Sequence, residues 1–546
     1  MTAVTVTRTP SPATVEVVRN AFVSGAEQMR RNLYRSAYSP VIYEMKDCSV
    51  GIYDVAGRLL GQAPGLPFFL GSLGGTLRAV IDIKGLEAFG DGDVWLVNDS
   101  TICGSHLNDV TVFAPVFIEG DLRGFTAAKA HWNDVGAKEA GYVGDSVDIF
   151  QEGLRIGPTC LVRGGVLDEQ ILDLIALNSR FPTALVGDLM AEISACRTGV
   201  ERFRSIVERY GWDQVEAAVE EVFEQAERAD RASVAAIPDG SYRTAGALDN
   251  DGVVDEPIHV EVTVTVAGDQ MTVDLTGSNE QCTGSTNSGI VQTRSAIEQA
   301  FKFLVNPTAP VSGGNFRNLE VIAPYGTCFN PTPTAACLHY GPHLMLAMDL
   351  MVRALSQAVP ERAAAGHVGD SWNITFVGQG PHGLFLSGES LTGGWGAYDG
   401  GDGESALIHS AAGDFKNFPI ETMEQRYPLR LLRHGLRDGS GGDGRWRGGL
   451  GIVREYELLA PCTVQLWFER SEQPSWGLFG GKDGAPPNVT VTEPGRSPRR
   501  LLKVNNYKAP AGTRILVETG GGGGWGDPAE RDRDARARDR ALGFAT

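Results

Sequence analysis

Three side chains suited to metal binding or acid–base chemistry lie in the N-terminal part of the chain. His106 and Asp109 are three residues apart, so one helical turn or a tight loop can direct both at one point. An alternating stretch before His131 predicts a β-hairpin with its turn at residues 119–121. If the turn centres on Gly120, Asp109 pairs opposite His131, with Cβ atoms about 5 Å apart. A slip of one residue would turn His131 to the other face of the sheet.

Two imidazoles and one carboxylate form a ligand set for Zn²⁺, Mn²⁺ or Fe²⁺ that leaves positions free for water or substrate. A fourth protein ligand would hold the ion more tightly. Glu44 and Asp47 are the nearest candidates by residue type, and spacing does not choose between them. Asp134 could orient a ligand from outside. The competing interpretation is an ordinary one, in which each His packs in the core and each Asp forms a turn.

Other motifs give weaker indications of chemistry. His339 and His343 are four residues apart, but Gly341 and Pro342 interrupt the helix that would align them. The chain has no G-x-x-x-x-G-K-[ST] loop and no G-x-S-x-G elbow. Its glycine-rich runs are not followed by helix patterns in a βαβ unit. The sequence therefore does not predict ATP or NAD binding by this chain alone, or a serine hydrolase.

The elements that must position these residues are helices and hairpins of an α+β, multi-domain protein. Hydrophobic periodicity predicts helices at residues 12–36, 73–83, 168–235, 293–304 and 343–359, and hairpins at 48–62, 110–131 and 258–276. We expect an N-terminal metal-site domain (1–236), a mixed α/β middle domain (237–430) and a β-rich, glycine-rich C-terminal region (431–546).

Composition excludes several classes of function. The net charge is −19, which disfavours nucleic acid as a partner because phosphate binding needs clustered Lys and Arg. No apolar run approaches the roughly 18 residues of a membrane span, and the first residues do not form a secretory signal. The eight cysteines are scattered without a C-x-x-C pair. These features predict a cytoplasmic protein with reduced thiols.

Several long motifs, in order along nearly the whole chain, resemble the hydantoinase B/oxoprolinase family. This family includes B subunits of ATP-dependent hydantoinases and oxoprolinases, and related subunits of acetone and acetophenone carboxylases. The matching stretches are R-S-A-Y-S-P (35–40), N-D-S-T-I-C-G-S-H-L-N-D (98–109), A-H-W-N-D-V-G (130–136), E-G-L-R-I-G-P (152–158), R-T-G (197–199), R-Y-P-L-R (426–430), G-R-W-R-G-G-L-G (444–451), W-G-L-F-G-G-K (476–482) and G-G-G-G-W-G-D-P (521–528).

The resemblance implies one divalent transition metal, Mn, Zn or Fe, held by the four side chains that match the family's motif: Glu44, His106, Asp109 and His131. For hydrolysis by a metal-bound water, Asp47 or Asp134 is our candidate proton acceptor. Two nearby positions depart from the family pattern, Asn108 in place of a frequent Pro and Trp132 in place of a second His. Both put the substrate and the metal's identity in doubt.

The resemblance also implies a hetero-oligomer. A hydantoinase A-type subunit would bind ATP and activate the carbonyl of a small cyclic amide, such as hydantoin, N-methylhydantoin or 5-oxoproline, and this chain would supply the metal for ring opening. One alternative is a subunit of an acetone- or acetophenone-type carboxylase acting on a ketone. The other is a non-catalytic scaffold with a structural metal.

Overall fold

The computed structural model describes residues 10–381, 383–413 and 415–544. These residues form helices and four β-sheets, which confirms the α+β class. The helices are α1 Pro12–Ser36, α2 Pro40–Tyr43, α3 Pro67–Lys84, α4 Ser100–Cys103, α5 Glu169–Leu177, α6 Pro182–Tyr210, α7 Trp212–Val234, α8 Ile290–Val305, α9 Pro342–Leu355, α10 Ile420–Arg426 and α11 Arg533–Leu542. The strands are β1 Cys48–Asp54, β2 Leu59–Gln62, β3 Val94–Val97, β4 Asp109–Ile118, β5 Asp121–His131, β6 Thr159–Arg163, β7 Val166–Leu167, β8 Gly240–Leu248, β9 Ile258–Ala267, β10 Gln270–Asp274, β11 Leu319–Ile322, β12 Asn373–Gly380, β13 Gly383–Ser390, β14 Leu429–Leu436, β15 Ile452–Leu458, β16 Cys462–Trp467, β17 Asn488–Thr492, β18 Arg499–Arg500, β19 Lys503–Ala509 and β20 Arg514–Glu518.

The N-terminal sheet runs in the order β2-β1-β5-β4-β3-β6-β7, with antiparallel neighbours throughout. Helices cover both of its faces. Val110 and Val112 of β4 enter a core shared with α1, α6 and α7, whereas Phe113 packs against α3 on the other side. Because side chains alternate between two buried faces, β1 and most of β4 are buried along their length.

Helix α1 forms where the sequence predicts it. The Ser11 side chain caps its N-terminus by accepting the Thr14 N–H at 3.1 Å, and Pro12 occupies the first turn, where its missing N–H costs nothing. Its apolar residues recur every three or four positions and are buried against the sheet and α6, where Phe22 meets Phe203 edge-on at 5.1 Å.

Helix α3 begins earlier than the predicted start at residue 73. Pro67 opens the helix, and the Leu66 carbonyl accepts the N–H groups of Phe69 and Leu70. Phe68 and Phe69 are buried in a second core, so tertiary packing extends the helix beyond the part that periodicity indicated.

The second core lies between a four-stranded sheet, in the order β11-β10-β9-β8, and helices α8 and α9. A third core lies between sheets ordered β13-β12-β16-β19 and β14-β15-β20-β17-β18. The glycine-rich run beside it permits close backbone contact. A Cβ on Gly522 would lie 1.9 Å from the Trp395 carbonyl oxygen, and one on Gly523 would lie 1.9 Å from that of Trp476.

Each of these cores contains residues from more than one predicted domain. Met45 belongs to the third core and Cys337 to the first. The third core also draws on both sides of residue 430, with Phe376 before it and Val464 after it. The division at residues 236 and 430 stays a prediction. None of the described helices combines the length and the apolar run that a bilayer crossing requires.

Candidate metal centre

Three potential ligand atoms meet at one point between the N-terminal sheet and the segment before α9. His106 Nε2 lies 2.7 Å from Asp109 Oδ1 and 3.1 Å from His131 Nδ1, and the last two atoms are 3.1 Å apart. All three residues are buried. A tetrahedral site with bonds of about 2.0–2.1 Å separates neighbouring donor atoms by roughly 3.3 Å, so the cluster is slightly more compact than such a shell.

The β4–β5 hairpin brings Asp109 opposite His131, as the sequence predicted, but its turn is shorter than predicted. Ile118 pairs with Asp121, so only Glu119 and Gly120, both at positive φ, form the turn. A two-residue turn alone would offset the register by one. A β-bulge then accommodates one extra residue, Arg123, and restores the pairing that directs His131 to the cluster.

His106 is oriented by contacts on both sides of its loop. The Asn98 side-chain amide donates to the Leu107 carbonyl at 2.7 Å, which fixes the adjacent backbone. His106 Nδ1 lies 2.9 Å from the Leu338 carbonyl and therefore carries the proton of that hydrogen bond. This tautomer leaves the Nε2 lone pair free for a cation, the arrangement found in metal-ligating histidines.

Two buried carboxylate oxygens at the cluster have no hydrogen-bond partner among the described residues, Asp109 Oδ2 and Asp47 Oδ1. Burial by itself raises the pKa of Asp109, but His106, His131 and Lys129 lower it well below the ordinary value. Asp109 is therefore an anion inside the protein. The unpartnered oxygens, together with two imidazole nitrogens, fit a divalent cation.

Asp47, rather than Glu44, lines the cleft that contains the cluster. Its backbone carbonyl accepts the His131 N–H at 3.1 Å, so Asp47 lies directly beside that residue. Burial and the charge of Asp109 raise the pKa of Asp47 to about 7, against the opposing effect of His131 and Lys129. Glu44 is the C-terminal cap of α2 and does not line the cleft. Neither acid belongs to the closely spaced group of three ligand residues found among the described residues, so the choice between them depends on the cleft.

The structure does not bring Asp134 to the cluster. Its carboxylate accepts hydrogen bonds at 2.6 Å from the guanidinium and from the backbone N–H of Arg180, and it does not line the cleft. This arrangement fixes the loop before α6 and leaves the carboxylate occupied.

The cleft of about 80 Å³ also contains residues that the sequence did not single out as functional. The Tyr142 ring stacks on His131 with ring centroids 6.0 Å apart, and Tyr340 meets His106 edge-on at 4.9 Å. His339 lines the cleft as well. In the sequence, Tyr340 and His339 lie in the stretch L-H-Y-G-P-H at 338–343. Spacing alone could not connect this stretch to His106.

His339 is held in one orientation. Its ring stacks on Trp467 at 3.7 Å, and its Nδ1 lies 2.9 Å from the Ser285 hydroxyl. Burial, together with the charges of Lys503 and His106, holds the pKa of His339 well below its usual value, so the ring is neutral. Its Nε2 has no partner among the described residues and is available to a reactant in the cleft. His343, by contrast, is fully buried in α9 and bonded to Ser288.

The two departures from the family pattern have structural roles beside the centre. Trp132 is buried next to His131, and its indole N–H donates to Glu192 at 2.8 Å. The Asn108 side chain donates to the Trp132 carbonyl at 2.7 Å, and its own carbonyl accepts the Trp132 N–H at 2.8 Å. Asn108 therefore joins the loop of His106 to the end of β5.

Comparison with known proteins identifies the family. The Hydantoinase B/oxoprolinase family model matches residues 11–528. The chain belongs to this family. It is 31% identical to the caprolactamase subunit beta of Pseudomonas jessenii, over 96% of this chain and 92% of that protein. It is 30% identical to 5-oxoprolinase 1 of Arabidopsis thaliana, over 94% of this chain but only 41% of that protein.

Solved structures share the fold. The crystal structure of the ATP-dependent caprolactamase from Pseudomonas jessenii superimposes with a TM-score of 0.91 at 29% identity, covering 99% of this chain and 95% of that one. Nucleotide-free acetone carboxylase, from a study of ATP-dependent acetone carboxylation, gives a TM-score of 0.88 at 21% identity, covering 98% and 78%. The second likeness concerns the fold alone.

Proposed function

We propose that this chain is the metal-bearing subunit of an ATP-dependent enzyme that hydrolyses a small cyclic amide. The observation that carries the proposal is the convergence of His106, Asp109 and His131 in a cleft, with distances of 2.7–3.1 Å between their ligand atoms. Family membership supports the reaction class, since relatives are named caprolactamase and 5-oxoprolinase. The ring in both names contains an amide.

We assign the fourth ligand to Asp47, in place of the Glu44 that the family resemblance suggested. Asp47 lines the cleft and has an unpartnered carboxylate oxygen beside His131. A divalent metal bound there would supply Lewis-acid polarisation of an amide or phosphorylated carbonyl and would lower the pKa of water. As a ligand, Asp47 would not be free to act as the proton acceptor.

The protein's own residues would then hold and orient the reactant. Tyr142 and Tyr340 form aromatic walls beside the two imidazoles and limit the entry of water. If the Ser285 hydroxyl donates to His339 Nδ1, then Nε2 carries a proton and can donate a hydrogen bond to a carbonyl or amide oxygen. We expect His339→Gln to lower kcat without loss of metal.

ATP binding belongs to a partner subunit in this proposal. The chain has no phosphate-binding loop, and the caprolactamase relative is named as a subunit. The 5-oxoprolinase relative matches this chain over 41% of its own length, so the activity in its name belongs to a longer protein. A hydantoinase A-type chain, forming a hetero-oligomer with this one, would supply the missing part.

The test is co-expression of this chain with an A-type subunit, followed by assays of metal content and ATP hydrolysis. Substrates would be caprolactam, hydantoin, N-methylhydantoin and 5-oxoproline, with acetophenone as a ketone. ATP turnover with a ring amide and without bicarbonate supports the proposal. Turnover only with a ketone and bicarbonate would assign the chain to the carboxylases instead.

The His106→Ala variant completes this experiment. It should lose both metal and activity while remaining folded, with His259→Ala, a partly exposed residue of β9, as the matched control. A metal-bound complex that turns over none of these compounds would indicate the scaffold role, and the proposal would fail.

A further inference from the structure

A second cavity, of about 370 Å³, lies between α3, α8, the β1–β2 hairpin and the loop at residues 311–317. It shares no lining residue with the cleft of the metal centre. Its volume falls within the range of small-molecule sites, about 300–1,000 Å³. The proposed function uses none of its residues.

Lys302 lines this cavity without a partner. The residue is only 9% exposed, and its Nζ makes no hydrogen bond within the described part of the chain. An unpaired ammonium group is costly to bury, and burial lowers the pKa of Lys302 despite the opposing charge of Asp230. A bound anion would satisfy this group.

Arg78 offers a second cation at the same cavity. Its only hydrogen bond among the described residues goes to the Gly57 carbonyl at 3.2 Å, and no carboxylate there forms an ion pair with it. The other two arginines of the lining are already neutralised, Arg58 by Asp54 and Glu220, and Arg317 by Glu227. The spare positive charge therefore belongs to Arg78 and Lys302.

The lining contains one carboxylate, that of Glu298. Burial raises the pKa of Glu298 to about 7, although Arg78 and Arg294 oppose the shift. Because Arg58 and Arg317 are already neutralised, the cavity has two spare basic residues and one acidic residue, in a chain whose net charge is −19. This local excess of positive charge favours an anionic ligand.

The remaining wall is apolar and aromatic. Phe303 is 43% exposed, and Phe316 has a left-handed backbone with φ of 65°. Non-glycine residues with this conformation are uncommon and concentrate at functional sites. Together with Leu59 and Leu70, these rings provide a surface for a hydrocarbon or aromatic group.

We propose that this cavity binds a small organic anion, with a carboxylate or phosphate group at Lys302 and Arg78 and an apolar or aromatic body against Phe303 and Phe316. The site is independent of the metal centre and of the reaction proposed there.

The binding test uses the full chain at pH 8 and isothermal titration calorimetry with three probes that share a phenyl ring: phenyl phosphate, phenylacetate and uncharged benzyl alcohol. Both anions, or one of them, should bind at least about tenfold more tightly than the alcohol. The stronger anion identifies the preferred head group. Equal binding of all three probes, or no binding, would overturn the proposal.

Two variants locate the binding. Lys302→Met should weaken binding of the anions about tenfold or more while leaving the thermal midpoint unchanged or raised, because it removes an unpaired buried charge. Glu298→Gln should strengthen it, since a negative charge is lost. Lys508→Met, at an exposed position of β19, controls for net charge and should change neither the anion affinity nor the thermal midpoint. Anion affinity that is unaffected by Lys302→Met would place the ligand elsewhere and refute the assignment.

Discussion

At the scale of single residues, the centre depends on which carboxylate completes the group of two histidines and Asp109. Glu44 and Asp47 are separated by Met45 and Lys46, and Lys46 has a positive φ of 64°. Met45 is directed into the third core, whereas Asp47 lines the cleft. A residue-type argument cannot distinguish two acids so close in sequence, because the choice depends on this irregular backbone.

The first prediction compares Asp47→Asn with Glu44→Gln. Asp47→Asn should weaken Mn²⁺ or Zn²⁺ binding about tenfold or more, because it removes a negative ligand. Glu44→Gln should leave the affinity within about twofold, because Glu44 does not line the cleft. Competition with a chelating dye measures both constants. The reverse ranking would restore Glu44 as the ligand and remove Asp47 from the centre.

Glu152 stabilises the backbone that holds His106, although the sequence indicated no role for it beyond a shared motif. It is fully buried and accepts the N–H groups of Cys337 and Leu338 at 2.9–3.1 Å. The Leu338 carbonyl in turn accepts the proton of His106 Nδ1. Glu152 therefore acts on the centre through Leu338, from a distant segment.

The second prediction concerns pH. Burial raises the pKa of Glu152 from 4.5 to about 7, against its hydrogen bonds from Ser146, Cys337 and Leu338. The folded state therefore holds a proton that the unfolded chain releases, and stability falls as pH rises from about 4.5 to 7, by about 3 kcal/mol. Glu152→Gln lacks this titration. The thermal midpoint of the wild type minus that of the variant should fall by about 2–3 °C between pH 5 and pH 8. Parallel curves would contradict the prediction.

At the scale of elements, the β4–β5 hairpin shows what sequence reasoning reached and what it missed. The pairing of Asp109 with His131 was predicted correctly, from a turn placed at residues 119–121. The actual turn has two residues, and the bulge at Arg123 compensates for the difference. Alternation of apolar residues identifies strands well, but it does not reveal where an extra residue is accommodated.

The third prediction tests this register. Deleting Arg123 removes the extra residue and the bulge together, so Asp109 should stay opposite His131 and the metal should be retained. Inserting one residue between Gly124 and Phe125 should instead place Ala130 opposite Asp109 and turn His131 away, so that metal binding is lost. Arg123→Ala keeps the backbone and should keep the metal. Metal content and circular dichroism of the purified proteins provide the measurement.

A compensating variant makes the register test decisive. Adding a second residue between Ala114 and Pro115 of β4, opposite the first insertion, brings Asp109 back opposite His131 and should restore the metal. Stoichiometric metal in the single insertion, with native secondary structure, would show that the register of β5 does not set the position of His131.

At the scale of the whole molecule, the cleft is assembled from segments far apart in the chain. The N-terminal sheet and the loop before β4 supply the ligand atoms, the stretch before α9 supplies Leu338, His339 and Tyr340, and β12 and β13 contribute Asn373 and Ser390. Sequence patterns gave the individual helices and hairpins because periodicity is local. They could not place residue 338 against residue 106, because that contact depends on how separate cores pack.

The last prediction is that residues 1–236 do not form a complete metal site alone. Without the rest of the chain, His106 loses the Leu338 carbonyl, the first core loses Cys337, and Met45, Phe68 and Phe69 lose the cores that bury them. Exposing three large apolar side chains costs about 1.5–3 kcal/mol each and favours aggregation. Expressed separately, this fragment should be poorly soluble and should bind metal at least about tenfold more weakly than the full chain.

Co-expressed with residues 237–546, it should copurify with that fragment and bind one equivalent of metal, because the break falls in the connection between α7 and β8, outside every core strand. A soluble fragment 1–236 with wild-type metal affinity would contradict this prediction. It would show that the N-terminal sheet forms the metal site alone and that the other cores only shape the walls of the cleft.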